Sequence, residues 1–324
     1  MRRPEAQYWS PFWSNPTITS FGNLFPSNYD GLMLEFWKRQ SCGDLQRVVD
    51  LACGNGALTW IANDLLNSGS GRTRITGVDL AAIDPFKALG RRAGDYPLVD
   101  FIGSTAIERL PFEEASIDLV ISQYGVEYSD LDKTIPEIGR VLKASGKIGL
   151  ILHDKESVIV KGAVQHLDDF KIVADDICLH DLLLDLDALR QADKNFKRLS
   201  QTVHYQSLQA RINEDSYQIR LILRSHPPGS PVGPYLERLW KASEAVPGKK
   251  VVSQRPLIEH ARDSLRGHIE RIEDLYAAAL SVAEQEHLIA LIKREGFTIT
   301  DNEVLRYKDN DNFGTVLAAH RTGG

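Results

Sequence analysis

The side chains of this 324-residue chain that could do chemistry lie at the ends of two apolar segments. The first segment contains Asp50 and is followed by Gly54 and Gly56, and the second ends in Asp79. Glycines let a backbone approach a ligand closely because no Cβ stands in the way. An acid four positions before the first of these glycines repels a phosphate and attracts an ammonium group. We therefore expect a nucleoside-like ligand that carries a positive group and no pyrophosphate.

The glycine-rich segment differs from the loop that binds dinucleotides. That loop has the pattern G-x-G-x-x-G, in which the third glycine allows the first helical turn to pack closely. Here Thr59 stands at the third glycine position. The difference disfavours an NAD-dependent oxidoreductase, which remains the alternative with a different chemistry.

Further candidates for chemistry follow the predicted fourth and fifth strands. Tyr124, Glu127 and Tyr128 come just after the fourth strand, and His153 ends the fifth. Ligands of α/β sheets bind at the carboxyl ends of strands, and histidine titrates near neutrality. We expect His153 as general base, Glu127 as base or anchor for a cationic substrate, and Tyr124 in the catalytic site. Ring packing, a structural histidine and a solvated loop acid are the competing interpretations.

Alternation of apolar strands with helices predicts the scaffold that positions these side chains. Short, β-branched apolar strands are typical of parallel strands that are covered on both faces. The predicted strands are residues 47–52, 74–79, 99–102, 117–122 and 147–153, followed by an antiparallel pair at 298–307 and 313–320. The predicted helices between them are residues 57–67, 85–92, 131–142 and 284–295. This order predicts a doubly wound α/β sheet.

The α/β alternation is interrupted after the fifth strand. Residues 157–282 carry almost no strand signal, and apolar residues recur there at helical spacing, with a Pro/Gly-rich loop at 226–234. We expect a helical insertion between strands five and six. The predicted division is an aromatic N-terminal flap at 1–45, a ligand-binding core at 46–155 and 284–324, and a helical cap at 156–283 that contributes to the substrate site.

The first 45 residues are rich in aromatic side chains and are interrupted by prolines. This composition predicts a loop with short helical turns. The rings either pack on the core or form a lid that becomes ordered over a bound ligand. Tyr8 and Trp13, together with Tyr128, are the candidate substrate contacts.

Charge and cysteine content limit the partners and the compartment. The net charge is -6 and the basic residues are dispersed, which argues against a nucleic-acid backbone as the main partner. The three cysteines show no metal-ligand spacing, so we expect reduced thiols in a cytoplasmic protein. Neither a signal peptide nor a membrane-spanning segment is recognisable, and we assign no metal site. We expect a monomer or a homodimer.

Five motifs resemble, in order and approximate spacing, those of class I S-adenosylmethionine (SAM)-dependent methyltransferases. They are the glycine-rich segment Asp50–Gly56, the acid Asp79, the loop and strand Leu110–Val120, the helix and turn Arg140–Lys147, and the turn Glu295–Phe297. The matches cover residues 46–154 and 284–320. The chain departs from the family where Ala52 replaces a third glycine and where Ala106 and Ile107 replace an Asp-Ala pair.

The resemblance implies a seven-stranded, Rossmann-like sheet whose last strand is antiparallel, with SAM as the cofactor. It implies that Asp79 accepts hydrogen bonds from the ribose hydroxyls, and that backbone groups and apolar walls hold the adenine. The cofactor-binding residues that it implies are Asp50, Ala52, Cys53, Gly54, Gly56, Asp79, Leu80, Ser104, Thr105, Ala106, Ile107, Ser122 and Gln123.

The activity implied by the resemblance is direct in-line transfer of a methyl group from SAM to an oxygen or nitrogen nucleophile, with S-adenosylhomocysteine as product. An enclosed aromatic site favours a small molecule or a peptide side chain as the acceptor. Two alternatives would use the same core. One is a nucleic-acid or protein methyltransferase, and the other is a non-catalytic SAM-binding or interaction subunit.

Overall fold

Seven strands form one sheet in the order β3-β2-β1-β4-β5-β7-β6. In this computed structural model the strands are β1 (Arg47–Leu51), β2 (Arg74–Val78), β3 (Val99–Ile102), β4 (Ile117–Gln123), β5 (Leu142–Leu152), β6 (Phe297–Tyr307) and β7 (Asp311–Arg321). The first five strands pair in parallel, whereas β7 runs antiparallel to both neighbours. The predicted doubly wound α/β fold with an antiparallel last strand is confirmed.

Helices flank the sheet and fill the sequence between β5 and β6. They are α1 (Ala6–Trp13), α2 (Gly31–Gln40), α3 (Ala57–Leu66), α4 (Pro85–Ala88), α5 (Leu131–Val141), α6 (Val158–Val164), α7 (Leu167–Lys171), α8 (Leu179–Ala192), α9 (Phe196–Leu199), α10 (Val203–Leu223), α11 (Val232–Ser243), α12 (Arg255–Ala278) and α13 (Val282–Arg294). The structure describes residues 6–21, 25, 27–69, 71–193, 195–226, 232–243, 252–307 and 310–321. Most of the predicted Pro/Gly-rich loop therefore lies outside the described residues.

The central strands are apolar because helices cover the sheet on both faces. Successive residues of a strand point to opposite faces. Val49 and Leu51 of β1 pack in one buried cluster with residues of α5 and α13. Val48 packs in another, with residues of α2 and α3. Because these strands are parallel, the carboxyl ends of β1, β2, β4 and β5 lie on the same side of the sheet.

Helix α2 corrects the prediction for the aromatic N-terminal segment. A loop with short helical turns was predicted there, but residues 31–40 form a ten-residue helix. Met33, Phe36 and Trp37 are buried and have the spacing of one helical face. The indole Nε1 of Trp37 donates to Gln123 Oε1 at 2.6 Å. These rings therefore belong to the core, and the prolines that suggested a loop all precede the helix.

The chain divides into two compact units, residues 1–162 with 274–324, and residues 163–273. The first unit contains the whole sheet. The second is helical and has its own buried apolar cluster, which includes Val173, Leu182, Ile212, Ile219 and Leu239. Within the described residues, no helix combines the length and the apolar character needed to cross a membrane.

Candidate cofactor and catalytic site

The turn after β1 has the sharp backbone that its glycines predict. Gly54 and Gly56 adopt left-handed conformations with φ of 53° and 80°. A Cβ added to Gly54 would lie 2.5 Å from the ring of Trp13, and one added to Gly56 would lie 2.6 Å from the ring of Phe101. Backbone conformation and close approach therefore both require glycine at these positions. Ala52, the residue that departs from the family pattern, is also left-handed, with φ of 55°.

Asp79 connects the turn after β1 to the end of β2. Its Oδ2 accepts from the backbone N–H of Gly54 at 2.7 Å, and its Oδ1 accepts from that of Ala81 at 2.8 Å. Burial raises the pKa of this carboxyl, while the two backbone donors oppose the rise. The sequence placed Asp79 and the glycine turn at neighbouring strand ends, and the structure brings them into direct contact.

Asp50 and Thr59 form a buried pair beneath the same turn. The Thr59 hydroxyl donates to Asp50 Oδ2 at 2.6 Å, and both residues are buried. Burial raises the pKa of Asp50 to about 7. Sequence analysis missed the structural role of Thr59 because it compared this position only with a dinucleotide loop. The acid nine positions earlier is the signal that could have indicated the pair.

The loops after β2 and β3 lie side by side next to Asp79. The backbone N–H of Ser104 donates to Ala81 O at 2.9 Å, and that of Thr105 donates to Asp79 O at 2.9 Å. Leu80 presents an apolar side chain that is 40% exposed. Ser104 and Ala106 are exposed, whereas Ile107 is buried in the core. A ligand at Asp79 would therefore meet backbone groups and an apolar surface.

The side chains of three other predicted cofactor contacts are buried in the core. The Ser122 hydroxyl is fully buried, donates to Leu51 O at 2.8 Å and accepts from Val126 N at 3.0 Å. Gln123 is held by α2, and Cys53 is a buried thiol. Burial raises the pKa of the Cys53 thiol well above its usual value. These side chains shape the strand ends, and a direct contact with a cofactor stays a prediction for all three.

Glu127 and His153 form a buried pair at the carboxyl ends of β4 and β5. The Glu127 Oε1 atom lies 2.8 Å from both the backbone N and the Nδ1 of His153. Glu127 is 0% exposed and His153 is 4% exposed, so the competing interpretation of Glu127 as a solvated acid is wrong. A carboxylate at Nδ1 fixes the tautomer that leaves a lone pair on Nε2. The arrangement can support a proton acceptor at Nε2.

Aromatic rings enclose this pair. The rings of Tyr124, Tyr128 and Phe21 have centroids 4.4, 5.8 and 6.5 Å from that of His153. The Tyr124 hydroxyl donates to Phe313 O at 2.7 Å, and burial raises its pKa well above the usual value. Tyr124 therefore contributes a wall to the site, with its hydroxyl engaged in the core. A catalytic role for Tyr124 stays a prediction.

Residues 6–21, which we call the N-terminal cover, lie on the turn after β1 and on the loop after β2. The Asn55 side-chain amide donates to the carbonyls of Asn15 and Thr17 at 3.1 and 2.8 Å. The backbone N–H of Ala82 donates to Ser10 Oγ at 3.0 Å. The ring of Trp13 rests on Gly54. Tyr8 is on the same helix and half-buried, and its predicted substrate contact, like that of Trp13, stays untested.

The similarity of this chain to known proteins lies in the segment that forms most of the parallel strands. Residues 48–146 match a family model described as a methyltransferase domain. Uncharacterized methyltransferases of Mycobacterium bovis and Mycobacterium tuberculosis are 30% identical over 115 residues, which are 34% of this chain and 41% of theirs. The malonyl-[acyl-carrier protein] O-methyltransferase of Methylovorus sp. is 35% identical over 106 residues, which are 31% of this chain and 34% of that protein.

A solved S-adenosylmethionine dependent methyltransferase from Mesorhizobium loti aligns over 88% of this chain and 96% of its own, with a TM-score of 0.44 and 13% identity. The chain spans about two fifths of the length of the mycobacterial relatives, 41%. The matched residues 48–146 include the glycine turn, Asp79 and strands β1 to β4. Residues 48–146 of the α/β unit are therefore similar to a methyltransferase domain.

Proposed function

We propose that this chain binds SAM at the turn after β1 and transfers its methyl group to an oxygen or nitrogen nucleophile of a small molecule or a peptide side chain. The contact of 2.7 Å between Asp79 Oδ2 and Gly54 N carries this proposal. It brings a carboxylate next to a turn whose glycines leave the backbone without a Cβ. The ribose hydroxyls would donate to Asp79, the adenine would lie near Leu80, and the ammonium group of SAM would face Asp50.

When bound, SAM would supply a methyl group carried by a positively charged sulfur, and the thioether would be the leaving group, keeping the electron pair of the broken carbon–sulfur bond. The protein's main task is then to hold the acceptor in line with that bond. A hydroxyl or amine acceptor must also lose a proton. His153, held by Glu127 through Nδ1, would take this proton at Nε2. S-adenosylhomocysteine and the methylated acceptor are the products.

The Glu127–His153 pair supports an acceptor that can donate a hydrogen bond. Glu127 Oε2 is buried, and it has no hydrogen-bond partner among the described residues. A buried acceptor of this kind favours a ligand group that can donate a hydrogen bond. The Methylovorus relative is named for O-methylation, which agrees with an oxygen acceptor. A contact of Tyr128 with the acceptor, a cytoplasmic location, and a monomeric or homodimeric state are further parts of the same proposal.

Isothermal titration of the full chain with SAM, S-adenosylhomocysteine and NAD tests the cofactor assignment. We expect binding of one SAM per chain and of its product, and no heat of binding with NAD. The reason is that Thr59 occupies the position where a dinucleotide loop has its third glycine. Failure of the correctly folded chain to bind SAM would overturn the proposal, and binding of NAD alone would replace it by the oxidoreductase alternative.

We expect the affinity for SAM to rise with pH up to about 7 and to level off above it. Burial raises the pKa of Asp50 to about 7, so the carboxyl of the empty site is protonated below that value. An ammonium group nearby favours the ionised form, and binding then releases the proton. The affinity gains at most about tenfold per pH unit below the pKa. Titrations on both sides of this value measure the slope.

The Asp50→Asn variant is the control for that slope. Its amide oxygen can still accept from the Thr59 hydroxyl, but it carries no group that titrates there. We expect a flatter pH dependence in this variant. The same slope in both proteins would assign the pH dependence to the ligand and contradict a role for Asp50.

A further inference from the structure

Two imidazoles and one carboxylate converge in the unit formed by residues 163–273. His166 directly precedes α7, Asp169 lies in the first turn of that helix, and His226 follows the end of α10. Asp169 Oδ2 lies 3.0 Å from His226 Nε2 and 3.6 Å from His166 Nδ1. The two imidazole centroids are 4.1 Å apart with planes tilted by 30°. The three potential ligand atoms all lie within 4.8 Å of one another.

The spacing of these atoms fits the ligands of a single small ion. In a tetrahedral zinc site the metal–nitrogen and metal–oxygen bonds measure about 2.0–2.2 Å, so neighbouring ligand atoms lie roughly 3.3–3.6 Å apart. The separations of 3.0 and 3.6 Å are close to this range, and all three ligand atoms lie within 4.8 Å of one another. The 3.6 Å separation is also too long for a hydrogen bond between His166 and Asp169.

The two histidines of this cluster are largely buried, whereas Asp169 is partly exposed to solvent. The His226 side chain is 1% exposed and that of His166 is 13% exposed, whereas the Asp169 side chain is 36% exposed. The ring of Phe170 lies 5.2 Å from that of His226 and forms an apolar wall. An ion held here would reach solvent on the side of Asp169. A fourth ligand could therefore be water.

We propose that His166, Asp169 and His226 bind one Zn²⁺ ion with a water molecule in the fourth position. Two neutral imidazoles and one carboxylate suit zinc better than magnesium or calcium, which prefer oxygen ligands. The bound ion ties α7 to the end of α10, two segments that are 57 residues apart in the sequence. The expectation of no metal from the sequence rested on local spacing, which cannot reveal ligands so far apart.

Equilibrium dialysis of the metal-free full chain against Zn²⁺, followed by metal analysis, tests this site. All variants for this experiment also carry Cys42→Ser and Cys178→Ser, because both exposed thiols could bind zinc themselves. One equivalent of zinc is expected. His166→Ala and His226→Ala should each weaken binding by about 100-fold or more, and Asp169→Asn by at least about tenfold.

Two exposed histidines of the same unit provide matched controls. His204→Ala and His260→Ala remove the same side chain elsewhere, and zinc binding should not change. Circular dichroism checks that each variant is folded. If a histidine variant unfolds, Co²⁺ binding to Asp169→Asn gives a second measurement. The visible absorption of tetrahedral Co²⁺ should be weaker in Asp169→Asn than in the parent protein. A purely hydrogen-bonded cluster would show less than one equivalent of zinc, or equal losses in the control variants, and either result overturns the proposal.

Discussion

Replacing Asp79 by alanine is expected to weaken SAM binding by at least about 100-fold. The carboxylate would accept from the ribose hydroxyls, and each hydrogen bond to a charged group contributes about 1.5–3 kcal/mol. The substitution also leaves the backbone N–H groups of Gly54 and Ala81 without their acceptor. The loss of ligand contact and the loosening of the turn act in the same direction. Isothermal titration with SAM measures the effect.

Asp100→Ala is the matched control for this variant. Asp100 is an exposed acid on the neighbouring strand β3, where it pairs with Arg74 at 2.7 Å. Exposed ion pairs contribute little, so SAM affinity should be unchanged. Asp79→Asn preserves the shape and one acceptor oxygen, and an intermediate loss is expected. SAM binding that survives Asp79→Ala in a folded protein would contradict the proposed cofactor site.

Replacing His153 by alanine is expected to slow methyl transfer by about 10²- to 10⁴-fold, the usual contribution of a general base. SAM affinity should not change, because the proposed contacts of the cofactor lie at the ends of β1 and β2. Glu127→Gln should give a smaller loss and alter the pH profile, since an amide can no longer stabilise a charged imidazole. Radiolabelled methyl groups transferred from SAM to a pool of small molecules or peptides measure the rate.

His287→Ala is the control for the histidine prediction. His287 is exposed on α13, where it pairs with Asp132 at 3.2 Å. Its replacement should leave the transfer rate unchanged. Equal losses in His153→Ala and His287→Ala, or a parallel loss of SAM binding in His153→Ala, would contradict the role of His153 as base. An undiminished rate in His153→Ala would contradict this role as well and would indicate an acceptor that needs no base.

The sheet was predictable because each central strand is a short apolar segment with its own boundaries. Strand β3 spans residues 99–102 in both the prediction and the structure, and β1 and β2 differ from their predictions by one residue. The same logic predicts that the turn after β1 and the end of β2 lie at one edge of the sheet, whereas the contact between Gly54 and Asp79 is seen only in the structure. Local pattern therefore determined both the scaffold and the first half of the site.

Other features depend on distances that sequence spacing does not encode. Glu127 and His153 are 26 residues apart, and only the structure shows that the acid is buried against the imidazole. The position of Trp13 on Gly54 depends on how the N-terminal cover folds back over the sheet. Helix α2 was missed because proline was given more weight than the spacing of its buried face. In each case tertiary packing supplied the information.

The N-terminal cover would be a second determinant of apparent affinity for any ligand that binds on the face of Gly54 occupied by Trp13. Trp13 occupies one face of Gly54, while Asn55 holds two carbonyls of the cover. A ligand that needs this face binds only to molecules in which the cover has moved away. Its measured dissociation constant then equals the intrinsic constant divided by the fraction of such molecules. Anything that shifts this fraction changes cofactor affinity without touching a single cofactor contact.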